Sequence, residues 1–293
     1  MKVKDSMFFV SLASGSSGNC SYIGTEESGF LVDAGIPYGK RSTSGSNGSK
    51  TLRQSLAENN IDIKGLKGLI ISHCHSDHIR FAADYCSNDD INIPVYICEN
   101  THRIYEAVRN KSGNNKREYK EIINTVYFES EREFKLDNFS IFPVGVSHDS
   151  YMHRVCSGAE NTAFAFIIKK DDAMVSIITD LGEISEKVSR YSANSRILHL
   201  EFNYDPEMLL GGKYPVYLKK RIRSRFGHLS NQDAVRFIMD YHLHTVESVS
   251  IAHVSRENNS DESINKSIEP IAKSSRIRFF KTYHGHYSDK IYF

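Results

Sequence analysis

An α/β fold, with helices packed outside a mixed sheet, is what this sequence predicts. Short apolar runs bounded by Gly, Ser or Asp recur along the chain, and helix-period segments alternate with them. Polar residues that can carry chemistry sit where those runs stop, which is where α/β sheets place their sites. At 293 residues the chain is long enough to bury a full core as one domain, 1–293.

Taken in order, the runs read as buried strands over 7–12, 29–33, 68–72, 94–98, 139–147, 162–169, 174–179, 196–202 and 247–253. Helical patterns fill the gaps over 51–59, 77–86, 101–109, 183–191, 214–226, 229–240 and 260–273. Two segments break the rhythm. Residues 41–50 are a polar Gly/Ser stretch, and residues 110–121 are polar and mostly basic. Both read as surface insertions rather than domain boundaries, and no internal repeat is visible.

Composition narrows the function. Lys and Arg total 37 against 36 Asp and Glu, a net charge of +1, which argues against a polycation or an acidic tail. No run approaches the 18 apolar residues of a membrane span, and no signal-peptide core follows Met1–Asp5. Cys20, Cys74, Cys86, Cys98 and Cys156 form no CxxC pair, as suits reduced thiols. The expectation is a cytoplasmic protein with no membrane contact. The unusual count is 13 His with no Trp, and histidine is the commonest metal ligand.

Seven residues concentrate that signal: Ser72-His73-Cys74-His75-Ser76-Asp77-His78, directly after the run 68–71. Residues two apart in extended chain point the same way, so His73 and His75 can hold one metal. Cys74 then points away and reads as packing. Asp77 and His78 open the following helix, turned toward a second metal. Imidazole and carboxylate suit Zn²⁺ and other first-row divalent ions. More donors stand at strand ends: His148, Asp180 and His253. Each alone is an ordinary loop residue or cap; with HxHxDH they fit one dinuclear site.

That set, in that order, resembles the metallo-β-lactamase fold superfamily. The resemblance implies a four-layered αββα sandwich. It implies one metal on His73, His75, His148 and Asp180, and a second on Asp77, His78, Asp180 and His253, with Asp180 bridging. Asp33, in Leu31-Val-Asp-Ala-Gly35, matches the superfamily's acidic residue that supports the metals. Further segments resemble the YycJ/WalJ-type proteins, a subfamily related to DNA-processing exonucleases. These are Leu12-Ala-Ser-Gly-Ser-Ser-Gly-Asn-Cys20, Glu201-Phe-Asn-Tyr-Asp205, Glu207–Leu210 leading into Lys213–Pro215, Gly227-His-Leu-Ser-Asn231 and His253–Asn259. The likeness runs from about residue 7 to residue 274.

The residues themselves agree with a phosphodiester substrate. Ser14–Asn19 is a loop of small residues that can bring backbone N–H donors to an anion, so Ser16, Ser17 and Asn19 are phosphate-binding candidates. His228 precedes a helical pattern and resembles the histidine that nucleases of this fold set beside the scissile phosphate. Lys213, Lys219, Lys220, Arg221, Arg223 and Arg225 lie just before it with no intervening acid. Lys219, Arg221 and Arg223 are therefore expected to touch backbone phosphate. The remaining His102, His153, His199, His242, His244, His284 and His286 read as surface, pocket-lining or packing residues.

The expected function is metal-dependent hydrolysis of DNA, exonuclease-like, by attack of a hydroxide bridging the metals. Asp33, Asp77 and His228 are the catalytic candidates. The expected cofactors are two divalent ions, Zn²⁺ foremost, with Mn²⁺ or Fe compatible. No flavin or nucleotide cofactor is expected. The alternative is a hydrolase of a thioester, lactone or other small ester on the same fold. The basic stretch and Gly227–Asn231 speak against it, and Asp rather than Cys at 180 speaks against a β-lactamase.

Overall fold

The structure is a computed structural model that describes residues 6–39, 50–111, 120–148, 162–282 and 288–293. Most of the two polar segments, and with them Lys116, Arg117, His153, Cys156, His284 and His286, fall outside the described residues.

The chain forms β1 (Phe8–Ala13), β2 (Cys20–Gly24), β3 (Gly29–Val32), α1 (Leu52–Glu58), β4 (Leu66–Ile70), α2 (Ser76–Ile79), α3 (Ala82–Cys86), β5 (Val95–Cys98), α4 (Glu99–Lys111) and β6 (Thr125–Phe128). There follow β7 (Phe134–Leu136), β8 (Phe139–Gly145), β9 (Phe164–Lys170), β10 (Ala173–Ile178), α5 (Glu186–Ser192) and β11 (Ile197–Glu201). The last elements are α6 (Pro206–Gly211), α7 (Val216–Ile222), α8 (Asn231–Phe237), β12 (Ser248–Ala252), α9 (Asp261–Ser274), β13 (Arg278–Lys281) and β14 (Ile291–Tyr292).

Strand alternation decides the layering. Phe8, Val10 and Leu12 of β1 pack with Leu52 and Leu56 of α1 and Tyr105 of α4, whereas Phe9 joins Phe30, Phe139, Phe166 and Val175 between the sheets. On the other side Leu198 and Leu200 of β11 meet Val188, Ala234, Phe237 and Ile268 from α5, α8 and α9. Three apolar layers therefore separate four structural ones, the αββα sandwich expected. The first sheet runs β14-β1-β2-β3-β4-β5-β6 and the second β13-β12-β11-β10-β9-β8-β7. In the first, pairing is antiparallel from β14 to β3 and parallel from β3 to β6. In the second, it is antiparallel from β7 to β10 and parallel from β10 to β13.

Helix starts follow capping chemistry. Thr51 and Gln54 form a capping box on α1, and Ser185, Ser230 and Ser260 cap α5, α8 and α9. The helix expected over 77–86 is two, because the amide of Phe81 leaves the helical ladder to donate to Ala34 O at 2.9 Å. The pattern at 214–226 is helical only from Val216 to Ile222. β2, β6, β7, β13, β14 and α6 were not foreseen. No helix among the described residues is long and apolar enough to cross a membrane.

Candidate metal centre

Loops at one edge of the two sheets bring the donors together. Asp33, Asp180 and His253 follow β3, β10 and β12, and all three have left-handed backbones, with φ of 65°, 58° and 51°. Asp and His tolerate that region better than most side chains do, and the reversal aims each one into the space between the sheet ends. His75 is the N-cap of α2, so Asp77 and His78 fall in its first turn. Three backbone bonds weave this segment to its neighbours: Asn19 N to Asp77 O, Gly35 N to Asn19 O and Ala34 N to His78 O. Gly35 is required there, since a Cβ would lie 1.9 Å from the Asp77 carbonyl oxygen.

Two groups of donors result. In the first, His73 Nε2 and His148 Nε2 lie 3.0 and 3.1 Å from His75 Nδ1, and Asp180 Oδ1 is 3.9 Å from His148 Nε2. In the second, His78 Nε2 is 3.5 Å from Asp77 Oδ2 and 3.2 Å from Asp180 Oδ2. His253 Nε2 is 3.4 Å from both Asp77 Oδ2 and Asp180 Oδ1. Asp180 reaches both groups: Oδ2 faces His78, and Oδ1 lies between His253 and the more distant His148.

The donor set fits divalent cations on its own chemistry. His75 Nδ1, with one lone pair or one proton, cannot satisfy two imidazole nitrogens at 3 Å. Asp180 Oδ2 is enclosed and meets no aligned donor among the described residues. A cation in each group would resolve both conflicts. Burial holds the imidazoles of His73 and His75 below their usual range and that of His148 at about 3, which keeps them in the neutral, ligating form. Burial also opposes charge on His78 and His253, but the surrounding carboxylates, Asp180 foremost, outweigh it and push both well up. Asp77 and Asp180 are desolvated too, yet His78 and His253 hold both carboxyls well below the ordinary value.

A second ring of contacts fixes which nitrogen faces inward. Asp33 Oδ2 accepts from His78 Nδ1 at 2.7 Å, and Ser72 donates to Asp33 through its amide and its hydroxyl, each at 2.8 Å. Asp33 is 4% exposed and stands behind His78, so it positions that ligand without reaching the pocket. His148 Nδ1 donates to Gly227 O at 3.1 Å. Glu201, 0% exposed, accepts from His228 Nδ1 at 2.7 Å and from His253 Nδ1 at 3.1 Å, and from the Leu181 amide. The sequence motif contained Glu201 but gave it no role. The signal was present: it ends a buried strand, as Asp33, Asp180 and His253 do.

Beside the donors lies a pocket of about 250 Å³ lined by Ser16, His75, His148, Tyr214, Leu218, Arg221, Ile222, Phe226, His228 and His253 among others. The structure thus brings His228, Ser16 and Arg221 to the centre. The other phosphate-binding candidates do not line that pocket. Ser17 Oγ accepts from Arg256 at 3.3 Å. Asn19 closes its own loop with Gly15, and its Nδ2 donates to Asp77 Oδ2 and lies 2.9 Å from His78 Nε2, against the second donor group. Lys219 Nζ donates to the Leu210 and Gly212 carbonyls, tying α7 to the end of α6, and Arg223 is exposed past α7, outside the pocket wall. Gly182 lets the loop before His228 approach, since a Cβ there would lie 2.1 Å from Ser224 O. Cys20, Cys74, Cys86 and Cys98 form no disulfide among the described residues.

Comparison with known proteins places this geometry. The family model described as "Beta-lactamase superfamily domain" matches residues 30–251. The chain is 29% identical over 283 residues to "Exodeoxyribonuclease YycJ" of Bacillus anthracis, covering 97% of this chain and 96% of that protein. It is 31% identical over 253 residues to "Exodeoxyribonuclease WalJ" of Streptococcus pneumoniae, covering 86% and 82%. Among solved structures it is similar to the metallo-beta-lactamase fold protein YhfI from Bacillus subtilis, with a TM-score of 0.66 at 15% identity, covering 97% of this chain and 99% of that one. With the family model matching residues 30–251 and a relative 31% identical across 86% of the chain, the chain belongs to the metallo-β-lactamase superfamily and, within it, to the YycJ/WalJ-type branch.

Proposed function

We propose that this metal-dependent hydrolase cleaves DNA phosphodiesters, exonuclease-like, at a two-metal centre. The observation that carries this reading is the pocket itself: His228, anchored on Glu201, faces the same space as Arg221, Ser16 and three of the candidate ligands. Support also comes from the relatives named exodeoxyribonucleases over most of their length.

His73, His75, His148 and Asp180 would hold one ion, and Asp77, His78, Asp180 and His253 the other. When bound, two divalent cations supply a nucleophile at neutral pH and neutralise charge on the phosphate. With oxygen and nitrogen donors only, Zn²⁺ is the first choice, and Mn²⁺ or Fe are compatible. The chain's own groups do the rest. Arg221 and Ser16 bind the non-bridging oxygens. Glu201 holds His228 by its Nδ1, which leaves Nε2 to pass a proton to the departing oxygen. Asp33 and Glu201 hold His78 and His253 in the tautomers that ligate.

The test is cleavage of end-labelled duplex and single-stranded DNA with added Mn²⁺ or Zn²⁺ by the wild type, His75→Ala and Asp77→Ala. Losses of at least about a hundredfold are expected in both variants. Undiminished cleavage by either would overturn the site. Hydrolysis of a lactone or thioester with every nucleic acid left intact would replace this reading with the small-ester one.

A further inference from the structure

We infer that the side-chain amides of Asn231 and Asn259 form a clasp that sets His228 at its working distance from His253 and the metal centre. The inference rests on the proton-donating role proposed for His228 and adds to it the residues that position that histidine.

His228 and His253 come from separate loops, yet their rings stack with centres 5.1 Å apart and planes at 21°. One oxygen, Glu201 Oε1, holds both. That arrangement demands a fixed spacing between the loop before α8 and the loop before α9. Asn231 opens α8, and Asn259 stands just ahead of the cap of α9. Asn231 Nδ2 donates to Asn259 Oδ1 at 2.9 Å, and Asn259 Nδ2 donates back to Asn231 Oδ1 at 2.9 Å. Each amide is donor and acceptor at once, so the pair bonds in one relative orientation. It is also tied to the chain that carries Glu201. The Asn231 backbone N–H donates to Tyr204 O at 2.9 Å, and Asn259 Nδ2 donates to Phe202 O at 2.8 Å. The segments after β11, before α8 and before α9 therefore meet at this one point.

Holding the two helices together does not require the pair. Ser230 and Ser260 already cap α8 and α9, and Ala234, Phe237, Ile264 and Ile268 share an apolar layer. Asn231 and Asn259 are 0% and 6% exposed, and burying amides is costly unless their bonds are made. Here each amide nitrogen and oxygen has its partner. A fully bonded polar pair fixes one arrangement of a core where apolar side chains would allow several. The arrangement fixed is that of two loops whose histidines share one carboxylate oxygen. An imidazole displaced by about 1 Å from the departing oxygen loses much of its effect on rate.

The test uses the full chain with Mn²⁺ and end-labelled DNA, either normal or with sulfur at the 3′- or the 5′-bridging position of the terminal linkages. A thiolate departs without a proton, so sulfur at the leaving position removes the need for an acid. In Asn231→Leu and Asn259→Leu, kcat on normal DNA should fall about tenfold or more with KM little changed. With sulfur at the leaving position the loss should shrink to within about threefold, the pattern expected of His228→Ala. Combining the two substitutions should add little, because either alone opens the clasp. Asn231→Asp, nearly the same shape, sets an oxygen where Nδ2 donated and should show the same split; it decides the matter if the leucine variants do not fold. Full kcat on normal DNA in these variants, or equal losses on normal and sulfur-bridged ends, would overturn the clasp. Equal losses on both substrates in His228→Ala would instead overturn the acid role on which the inference rests. No metal-dependent cleavage of any DNA by the wild type would overturn the nuclease reading itself.

Discussion

Glu201 accepts hydrogen bonds from two imidazoles with one oxygen and from the Leu181 amide with the other, at 0% exposure. Burial opposes its ionisation, but His228 and His253 keep the carboxyl below its ordinary value, so it is a buried anion serving two histidines. Glu201→Gln preserves the shape and removes the charge. It is expected to lower kcat by about 10–100-fold and to raise the metal concentration that gives half-maximal activity. Turnover and metal titration measured together check this, because a merely structural role would change the melting temperature and leave the metal dependence alone. Full activity at unaltered metal demand would refute it. At this scale the candidate ligands were largely legible: HxHxDH announces itself, and Asp180 and His253 each end an apolar run, as does Asp33 behind His78. The division of labour was not. Ser16, Ser17 and Asn19 look equivalent in a Gly/Ser loop, yet only Ser16 of the three lines the pocket, because Asn19 is taken by Gly15 and Asp77.

A short π-helical turn, Ile238–His242, continues α8 and buries His242 against Phe237 and Ser192 Oγ. Burial alone pushes this imidazole down to about 4. The sign follows from the two states. Above pH 6.5 the group is neutral folded and unfolded, and adds no slope. Below that, the unfolded chain takes a proton that the folded protein refuses, so stability falls toward pH 4 by about 1.4 kcal/mol per unit. His242→Leu removes that contribution. Urea unfolding at pH 7 and pH 5 should show a drop about 2 kcal/mol smaller in the variant than in the wild type. Parallel drops would show that His242 titrates freely. Elements with a strong period were readable, and those made by partners were not. The edge strand β6, with Val126 and Tyr127 exposed, and the two-residue β14 exist through pairing with β5 and β1. The segment 77–86 has helical spacing throughout, and a tertiary bond from Phe81 N to Ala34 O splits it.

At the scale of the molecule, the site joins the two sheets. His73, His75, Asp77 and His78 come from the loop after β4 and the start of α2, and His148, Asp180 and His253 from the loops after β8, β10 and β12. Metal held there binds the folded chain and not the unfolded one, so it stabilises by mass action. Removing it with a chelator should lower the melting temperature by about 5–10 °C, and restoring Zn²⁺ or Mn²⁺ should recover it. In Asp180→Ala, which lacks the carboxylate between the two groups, the chelator should have much less effect. A wild-type melting temperature indifferent to chelation would count against metal binding at these residues.

By itself the sequence determined the α/β alternation, the HxHxDH segment and the strand-end donors, because strand burial and extended-chain spacing are local properties written in residue order. Tertiary structure alone decided the rest. Donors as far apart in the chain as His73 and His253 meet only when two sheets pack face to face and three left-handed strand ends turn inward. The same packing buried Glu201 behind two histidines and leaned α7 over the pocket. None of this is local: which carboxylate faces which imidazole depends on strand order and register, and neither is encoded in the spacing of any one segment.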